Sequence, residues 1–409
     1  MRVELINTGS ELLLGFTVNS HLNHIARKLA DIGLRLDRQT TVGDSLPEMK
    51  AVVAEALQRC DVLIVTGGLG PTSDDVTRDV VAGLLGRTLV RDEAVAAAIA
   101  QRFRKRGLVM PESVYVQALV PADARVLPNP NGTAPGLAIE EGNKLVVLLP
   151  GPPRELKPML EEHVLPLLRQ RIGDAAPFVC RVFKVAGLPE STVEAKIAPA
   201  LADLPGVELG YCAKMGEVEV RIITATNALA DEIEKRARLV LGDTLFGVDD
   251  DRLEEVVVHL LAREHKTIAV AESCTGGLIA HRITNVSGAS AVFISGLVTY
   301  ADEAKMQLLG VAQKTLKTHG AVSEETCREM AEGARTRGHV DFALSTTGIA
   351  GPTGGAPDKP VGLVYIGLAT PAETVVQRHV LSLDRETFKF FVSQIALDML
   401  RRELLKTKS

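Results

Sequence analysis

The chain of 409 residues contains no tryptophan, and aromatic residues make up only 3% of it. Proteins that hold single-stranded nucleic acids stack the bases on aromatic side chains, so this scarcity argues against such a role. Basic residues are not in excess either, since the formal net charge is -5 at pH 7. No basic block offers the phosphate neutralisation that nucleic-acid binding needs. The composition therefore argues against nucleic acid as a partner.

The sequence also lacks paired cysteines and long apolar runs. Its five cysteines are odd in number, widely scattered and without a C-x-x-C pair: Cys60, Cys180, Cys212, Cys274 and Cys327. This pattern argues against a disulfide framework and against a cysteine zinc site, and it is typical of a reducing compartment. The opening segment, residues 2–6, is too short and too charged for a signal peptide, and no run reaches the length of a membrane span. We expect a cytoplasmic protein without a membrane partner.

Three domains are predicted, because 409 residues exceed what one hydrophobic core usually supports. Residues 1–172 alternate short β-type runs (3–7, 34–42, 62–66 and 145–149) with helical patterns (20–32 and 47–59), which predicts a parallel sheet covered by helices. Residues 173–250 predict a small α+β unit of two helices and about three strands. Residues 251–409 return to β/α alternation, with strands at 267–271, 291–298, 342–347 and 362–369. The predicted fold class is α/β, with two α/β domains joined by a small α+β domain.

A glycine-rich loop follows the predicted strand 62–66. It reads GGLGPTSDDVT at positions 67–77, and its glycines allow backbone amides to approach a ligand closely. Thr72 offers a hydroxyl, and Asp74 and Asp75 place two carboxylates where a helix begins. One carboxylate could bind a hard divalent cation while the other caps the helix, and capping alone explains Asp75 equally well.

Three further loops follow strand ends in the first domain, at residues 7–11, 128–136 and 148–159. The segment around Glu155 is also explained as a simple helix start after prolines. Four such loops at the carboxyl ends of strands in one α/β unit favour a ligand that carries phosphate.

The stretch AESCTGGLIA, residues 271–280, joins a predicted strand to a predicted helix. The first amides of a helix have no internal partner and the helix dipole favours an anion, so such a turn suits a phosphate or a developing oxyanion. A tight turn capped by Ser273 or Thr275 is the structural alternative.

The remaining loops of the last domain supply serines, a tyrosine and a lysine. They are SGAS at 287–290, TYADEAK at 299–305 and TTGIAGPTGG at 346–355. No Cys-His pair and no G-x-S-x-G elbow accompanies them. A Ser-Lys pair is the hydrolytic chemistry that this inventory permits, because a desolvated lysine can lose its charge and accept a serine proton. A capping or packing Ser290 and a solvated Lys305 are the structural alternatives.

Four segments of the first domain, GSELLLG, GGLGPTSDDVT, NPNGTAPG and LPGPPRELKPM, resemble the molybdopterin-binding (MoaB/MogA-like) domain of the competence-damage inducible (CinA) protein family. The resemblance spans the whole chain and implies that this domain cleaves ADP-ribose to AMP and ribose 5-phosphate with a divalent metal such as Mg²⁺. It carries metal roles onto Asp74, Asp75, Glu11 and Glu155. It carries substrate contacts onto Gly67, Gly68, Thr72, Asn19 and Gly151.

The middle domain resembles a KH-type fold of the same family. A G-x-x-G loop with basic neighbours, which clamps nucleic-acid backbones, is missing. The nearest turn is Lys214-Met215-Gly216-Glu217, whose glutamate does not suit that task. We expect a spacer or dimerisation role, and the family resemblance implies a homodimer.

The last domain resembles the nicotinamide mononucleotide deamidase domain of these proteins, which needs no cofactor and converts a carboxamide to a carboxylate and ammonia. The resemblance implies Ser290 as nucleophile, Lys305 as base and Tyr300 as an aid to proton transfer, with Ser273 as the rival nucleophile. Pocket and anion contacts fall to Ser273, Thr347, Gly348, Gly351 and Gly276, and Arg385 is expected to hold the substrate phosphate. The alternative to this two-activity enzyme is a non-catalytic scaffold that binds a nucleotide or pterin in competence or DNA repair.

Overall fold

The structure, a computed structural model, describes residues 1–173 and 177–406. The chain forms two compact units, Met1–Phe178 and Val179–Ser409. Residues 174–176, in the predicted middle domain, and 407–409, at the end of the predicted last domain, lie outside the described residues. Within the described residues no helix is both long enough and apolar enough to cross a membrane. The predicted α/β fold class is confirmed, with mixed sheets in place of purely parallel ones.

The first unit is built on a six-stranded sheet with the strand order β2-β1-β3-β8-β7-β6. Its strands, with the short β4–β5 pair beside it, are β1 Val3–Thr8, β2 Arg38–Val42, β3 Val62–Thr66, β4 Leu89–Arg91, β5 Leu119–Pro121, β6 Arg125–Leu127, β7 Gly136–Glu141 and β8 Lys144–Leu149. Strands β2, β1, β3 and β8 are parallel to one another. Strand β7 pairs antiparallel with β8, and β6 pairs antiparallel with β7. The expectation of a parallel sheet is therefore wrong at this edge. Only residues 142 and 143 separate β7 from β8, and a parallel crossover needs about a dozen residues or more.

Helices cover both faces of this sheet, because successive strand residues point to opposite sides. They are α1 Ser10–Leu13, α2 His21–Ala30, α3 Leu46–Arg59, α4 Thr77–Leu84, α5 Glu93–Lys105, α6 Pro153–Met159 and α7 Leu165–Ile172. Ile64 of β3 packs into one core with Ile25 of α2, and its neighbour Val65 packs into the other with Val53 of α3.

The second unit begins with an antiparallel sheet in the order β10-β11-β9-β12. Its strands and helices are β9 Val179–Ala186, α8 Glu190–Leu201, β10 Glu208–Lys214, β11 Glu217–Thr224, α9 Asn227–Leu241 and β12 Leu245–Val248. The sheet has four strands where about three were expected. The additional strand, β12, is short and follows directly on the turn after α9, so its sequence offers little alternation.

A five-stranded sheet in the order β14-β13-β15-β16-β17 forms the rest of this unit. Its elements are α10 Leu253–Arg263, β13 Ile268–Glu272, α11 Leu278–Thr284, β14 Phe293–Val298, α12 Asp302–Ala304, α13 Gln313–His319, α14 Glu324–Gly338, β15 Phe342–Gly348, β16 Leu363–Ala369, β17 Thr374–Val380 and α15 Arg385–Lys406. Strand β13 runs parallel to β14 and β15, so the loops that follow these three strands lie at one edge of the sheet. The candidate site of this unit lies at that edge.

Candidate active sites

A cavity of about 210 Å³ opens where β13, β14 and β15 end. It is lined by Ser273, Cys274, Tyr300, Lys305, Ala321, Val322, Thr347, Gly348, Ala350 and Arg385. Most of the predicted site residues of the last domain are thus together. Ala321 and Val322, from the loop before α14, were not predicted, because small apolar residues carry no chemical signal in a sequence.

Lys305 lies at the base of this cavity and is only 1% exposed. Its Nζ donates to the carbonyl oxygens of Thr299 at 3.0 Å and Tyr300 at 3.1 Å. Asp302 is the nearest carboxylate, with its Oδ1 at 3.8 Å from Nζ. Burial lowers the pKa of Lys305 from its ordinary value, and the Asp302 charge partly opposes this shift. A buried lysine with a lowered pKa is suited to accept a proton.

The turn after β13 is held by Glu272, which is 1% exposed. Its carboxylate accepts hydrogen bonds from the amides of Gly277 at 3.0 Å, Ile279 at 3.1 Å and Ala280 at 2.9 Å. The start of α11 therefore already has an anion, supplied by the chain itself. Of the two interpretations of this turn, an anion site and a structural turn, the structural one agrees with these contacts, with Glu272 rather than Ser273 or Thr275 accepting from the helix amides. The sequence offered one indication of this role, because Glu272 is an acidic residue at the end of an otherwise apolar strand.

The structure does not place Ser290, the nucleophile that the family resemblance implies, at this cavity. Ser290 is exposed, in a 3-10 turn at Ala289–Ala291 that precedes β14, and it does not line the cavity. Tyr300 follows the carboxyl end of β14, so the six-residue strand, about 20 Å long, separates the two residues. Ser273, the rival, is 9% exposed and lines the cavity with Lys305.

Arg385, the first residue of α15, closes one side of the cavity. Its Nη1 donates to the carbonyl oxygen of Gly351 at 2.9 Å, and its Nη2 donates to the Tyr300 hydroxyl at 3.0 Å. Gly351 thus contributes by orienting Arg385 rather than by lining the cavity. The Thr347 hydroxyl donates to the Ala321 carbonyl at 2.7 Å and so fixes the neighbouring loop.

Gly276 does not fit its predicted role. It is exposed, with φ +61°, and it does not line the cavity. A Cβ at this position would lie 3.4 Å from Nζ of Lys389. Its contribution is the left-handed turn that leads into α11, a conformation that favours glycine.

The first unit has a cavity of about 360 Å³ at the carboxyl ends of β1, β3 and β8. Seven predicted residues line it: Glu11, Gly67, Gly68, Asp74, Asp75, Gly151 and Glu155. Thr72 and Asn19 do not line this cavity, and each donates hydrogen bonds to a neighbouring side chain. The amide and hydroxyl of Thr72 donate to Asp75 Oδ2 at 3.0 and 2.5 Å. Asn19 donates to Asn7 Oδ1 at 2.9 Å.

The carboxylates of this cavity are spread around its wall. Among residues 1–173 and 177–406, no group of three or more His, Cys, Asp or Glu side chains could hold a metal ion by itself. Glu155 is buried and accepts from Asn129 Nδ2 at 2.8 Å, whereas Glu11 and Asp74 are exposed at the cavity. This donor set fits Mg²⁺, which is commonly held by one or two carboxylates together with substrate phosphate oxygens and waters.

Three family models match consecutive parts of the chain: a probable molybdopterin binding domain over residues 4–170, a damage-inducible protein CinA KH domain over 180–247, and a CinA C-terminal domain over 250–404. These matches define a three-domain protein with a MoaB-like, a KH-like and a CinA C-terminal part. The chain belongs to the competence-damage inducible protein (CinA) family.

Relatives that match this chain over nearly its whole length support this family assignment. A putative competence-damage inducible protein from Caldicellulosiruptor bescii is 46% identical over 99% of this chain and 100% of its own length. A CinA-like protein from Akkermansia muciniphila is 45% identical over 97% of this chain and 96% of its own. Among solved structures, the competence/damage inducible protein from Agrobacterium tumefaciens is 37% identical, with a TM-score of 0.36, over 38% of this chain and 97% of that one.

Proposed function

We propose that the last domain hydrolyses nicotinamide mononucleotide to nicotinic acid mononucleotide and ammonia, with Ser273 as nucleophile and Lys305 as base. The observation that carries the proposal is that Ser273 and the buried Lys305 line one small cavity with Tyr300 and Arg385. A serine hydroxyl needs an adjacent base to become a nucleophile, and a lysine with a lowered pKa can serve.

The chain's own residues account for each step. Neutral Lys305 takes the Ser273 proton as the serine oxygen attacks the carboxamide carbon, and the resulting lysine ammonium returns a proton to the leaving nitrogen, which departs as ammonia. Water then attacks the acyl-serine ester as Lys305 takes its proton. The lysine ammonium returns this proton to the Ser273 oxygen when the ester bond breaks, so the acid product, which ionises to its carboxylate, leaves behind free Ser273 and neutral Lys305. Arg385 would bind the substrate phosphate, and its guanidinium donates to the Tyr300 hydroxyl at 3.0 Å.

We further propose that the first domain hydrolyses the pyrophosphate of ADP-ribose. The support is an acidic cavity whose glycine loop brings backbone close to a ligand: Gly67 and Gly68 both have positive φ, +95° and +64°. Asp74 and Glu11 would hold a divalent cation, with Glu155 beside them, and the cation supplies charge neutralisation of the pyrophosphate and a more acidic bound water. A scaffold that only binds the nucleotide is the competing function, and the exposure of Glu11 and Asp74 is compatible with it.

Ammonia release from nicotinamide mononucleotide by the full chain tests the first activity. We expect Ser273→Ala and Lys305→Met to lose at least about 10³-fold in rate, while the matched serine control Ser290→Ala keeps activity near that of the parent. Loss with Ser290→Ala but not with Ser273→Ala would overturn the assignment.

For the first domain, ADP-ribose cleavage is measured with and without Mg²⁺ in the parent and in Asp74→Asn. Binding of ADP-ribose without turnover would favour the scaffold. Light scattering tests the homodimer that the family resemblance implies.

A further inference from the structure

A buried glutamine lines the acidic cavity of the first unit, and no motif in the sequence singles it out. Gln117 belongs to a 3-10 helix at Glu112–Ala118 and is 3% exposed. Its amide nitrogen Nε2 donates to the carbonyl oxygen of Leu69 at 3.2 Å. Its amide oxygen Oε1 is buried and has no hydrogen-bond partner among the residues that the structure describes.

The bond to Leu69 determines which end of this amide is left for a ligand. Leu69 presents a carbonyl oxygen, which only accepts hydrogen bonds, so the amide nitrogen of Gln117 must face it. The oxygen is then the unpaired atom. A buried acceptor without a partner costs free energy, and a bound water, ion or ligand is its usual explanation. Gln117 therefore offers an acceptor, and not a donor, to a ligand of this cavity.

The charge of the cavity favours a cation as the partner of this oxygen. None of the described residues in the lining is a lysine, arginine or histidine, whereas five carboxylates line it: Glu11, Asp44, Asp74, Asp75 and Glu155. A cleft lined by one sign of charge attracts the opposite sign, so a substrate pyrophosphate needs a cation beside it here. Carboxylate and amide oxygens are ligands that suit hard divalent cations such as Mg²⁺ and Mn²⁺.

The carboxylates do not complete a cation site by themselves. In the described part of the chain, no three His, Cys, Asp or Glu side chains are grouped so that they could hold a metal ion. The acidic pair and Gln117 nevertheless contact adjoining positions of one loop. A Cβ on Gly70 would collide with the Asp75 carboxylate, and Leu69, the residue before Gly70, is the partner of Gln117. A neutral oxygen at this loop supplies a ligand that the carboxylates lack.

We propose that Oε1 of Gln117 is a ligand of the divalent cation in this cavity, together with Asp74. The Gln117 amide then has two tasks, because its nitrogen holds the glycine loop at Leu69 while its oxygen binds the cation. The part that this cation plays in catalysis rests on the proposed hydrolysis of ADP-ribose. Cation binding itself needs no substrate and can be measured separately.

Titration of the substrate-free full chain with Mn²⁺, followed by calorimetry, tests this ligand. We expect Gln117→Leu, which removes the oxygen, to weaken Mn²⁺ binding by at least about tenfold. Gln117→Glu keeps an oxygen and adds a charge, so it should bind Mn²⁺ at least as tightly as the parent. The control Gln58→Leu changes an exposed glutamine of α3 and should bind like the parent. Circular dichroism checks the folding of each variant.

A purely structural Gln117 would give a different pattern, because Gln117→Glu also loses the bond to Leu69. Weak binding in both Gln117 variants, parental binding in Gln117→Leu, or no Mn²⁺ binding in the parent would each overturn the proposal. Electron-nuclear double resonance of bound Mn²⁺ in H₂¹⁷O gives a second readout. Gln117→Leu should show one more water ligand than the parent, and an equal number would overturn direct coordination.

Cleavage of ADP-ribose separates this proposal from the proposed function. A parent that binds Mn²⁺ through Gln117 but does not cleave ADP-ribose would count against the hydrolase and would still support the ligand. A higher KM for ADP-ribose in Gln117→Leu with parental Mn²⁺ affinity would assign the oxygen to a substrate hydroxyl instead. That outcome would overturn the cation assignment.

Discussion

The Lys305 ammonium donates to the carbonyl oxygen of Thr299 at 3.0 Å from within a cavity where the lysine is almost completely buried. Carbonyl dipoles stabilise the charged lysine, and burial opposes that charge. Burial dominates, so the pKa is lowered. The pH dependence of deamidation follows from this balance.

Deamidation should rise with pH along a limb whose midpoint lies below the ordinary lysine value of about 10.4, because only neutral Lys305 accepts the serine proton. Asp302→Asn removes the negative charge 3.8 Å from Nζ and should move this limb to lower pH. The measurement is kcat/KM for nicotinamide mononucleotide from pH 6 to 10. Glu303→Gln, an exposed neighbour, is the control. An unchanged limb in Asp302→Asn would contradict the role of Lys305 as base.

Glu272→Gln should loosen the start of α11. The substitution keeps the shape of the side chain but removes the charge and turns one acceptor into a donor that faces backbone amides. The local opening free energy should fall by about 1–3 kcal/mol. Hydrogen exchange of the amides in 277–284 measures this, and deamidation should decrease in parallel. Glu332→Gln, on the exposed side of α14, should change neither; equal protection in Glu272→Gln and the parent would refute the anchoring role.

Two glycines of the first unit should respond in opposite directions to alanine. A Cβ on Gly132 would lie 1.8 Å from Glu155 Oε2, so Gly132→Ala should displace that carboxylate and abolish metal-dependent cleavage of ADP-ribose. Gly83 lies within α4 and nothing lies within 4 Å of its added Cβ. Gly83→Ala should keep activity and stabilise the unit by about 0.5–1 kcal/mol. Denaturant unfolding measures the change in stability, and release of AMP from ADP-ribose measures the change in activity. Full activity in Gly132→Ala would exclude Glu155 from the site.

Thiol reactivity should divide the cysteines into two groups. Burial raises the pKa of Cys274 and of Cys327 to about 12 each, and that of Cys60 to about 11. These thiols stay protonated at pH 8 and should react slowly, whereas exposed Cys180 and half-buried Cys212 should react fast. A chromogenic disulfide reagent should therefore count two fast thiols in the native chain and five after denaturation. In a double Cys180→Ser, Cys212→Ser variant the two fast thiols are absent. A fast thiol that remains there, and that Cys274→Ser removes, would show that the Ser273 turn opens to solvent.

Sequence patterns predicted the limits of a helix or strand well where neighbouring residues, such as glycines, mark its end. The strand 62–66 was predicted with its observed bounds, because five consecutive apolar or β-branched residues end at a pair of glycines. The strand predicted from residue 34 begins instead at Arg38. Leu34 is buried, but it belongs to a loop before the strand, and the Asp37 carboxylate accepts from the Val3 amide at 2.7 Å. Burial alone does not distinguish a strand from such a loop.

The functional sites likewise divide into residues whose positions the sequence predicted and residues whose positions it did not. The acidic residues of the first domain line one cavity because parallel strands end at a common edge, which can be predicted from the order of strands and helices in the sequence. Ser290 does not follow that rule, since it precedes its strand, and the serine that lines the cavity is Ser273. The contact between Gln394 and Glu217 could not be predicted, because 177 positions of sequence separate the two residues.

Helix α15 has one further consequence, for how these domains can exist apart. Its apolar side chains, Phe391, Ile395 and Met399, face the KH-type sheet across a cavity of about 730 Å³, and the Arg402 guanidinium donates to the carbonyl oxygen of Ala186 on β9. A last domain separated from the middle one would expose this surface to water. A CinA C-terminal domain that folds independently must therefore carry polar residues at those positions, or it must self-associate there.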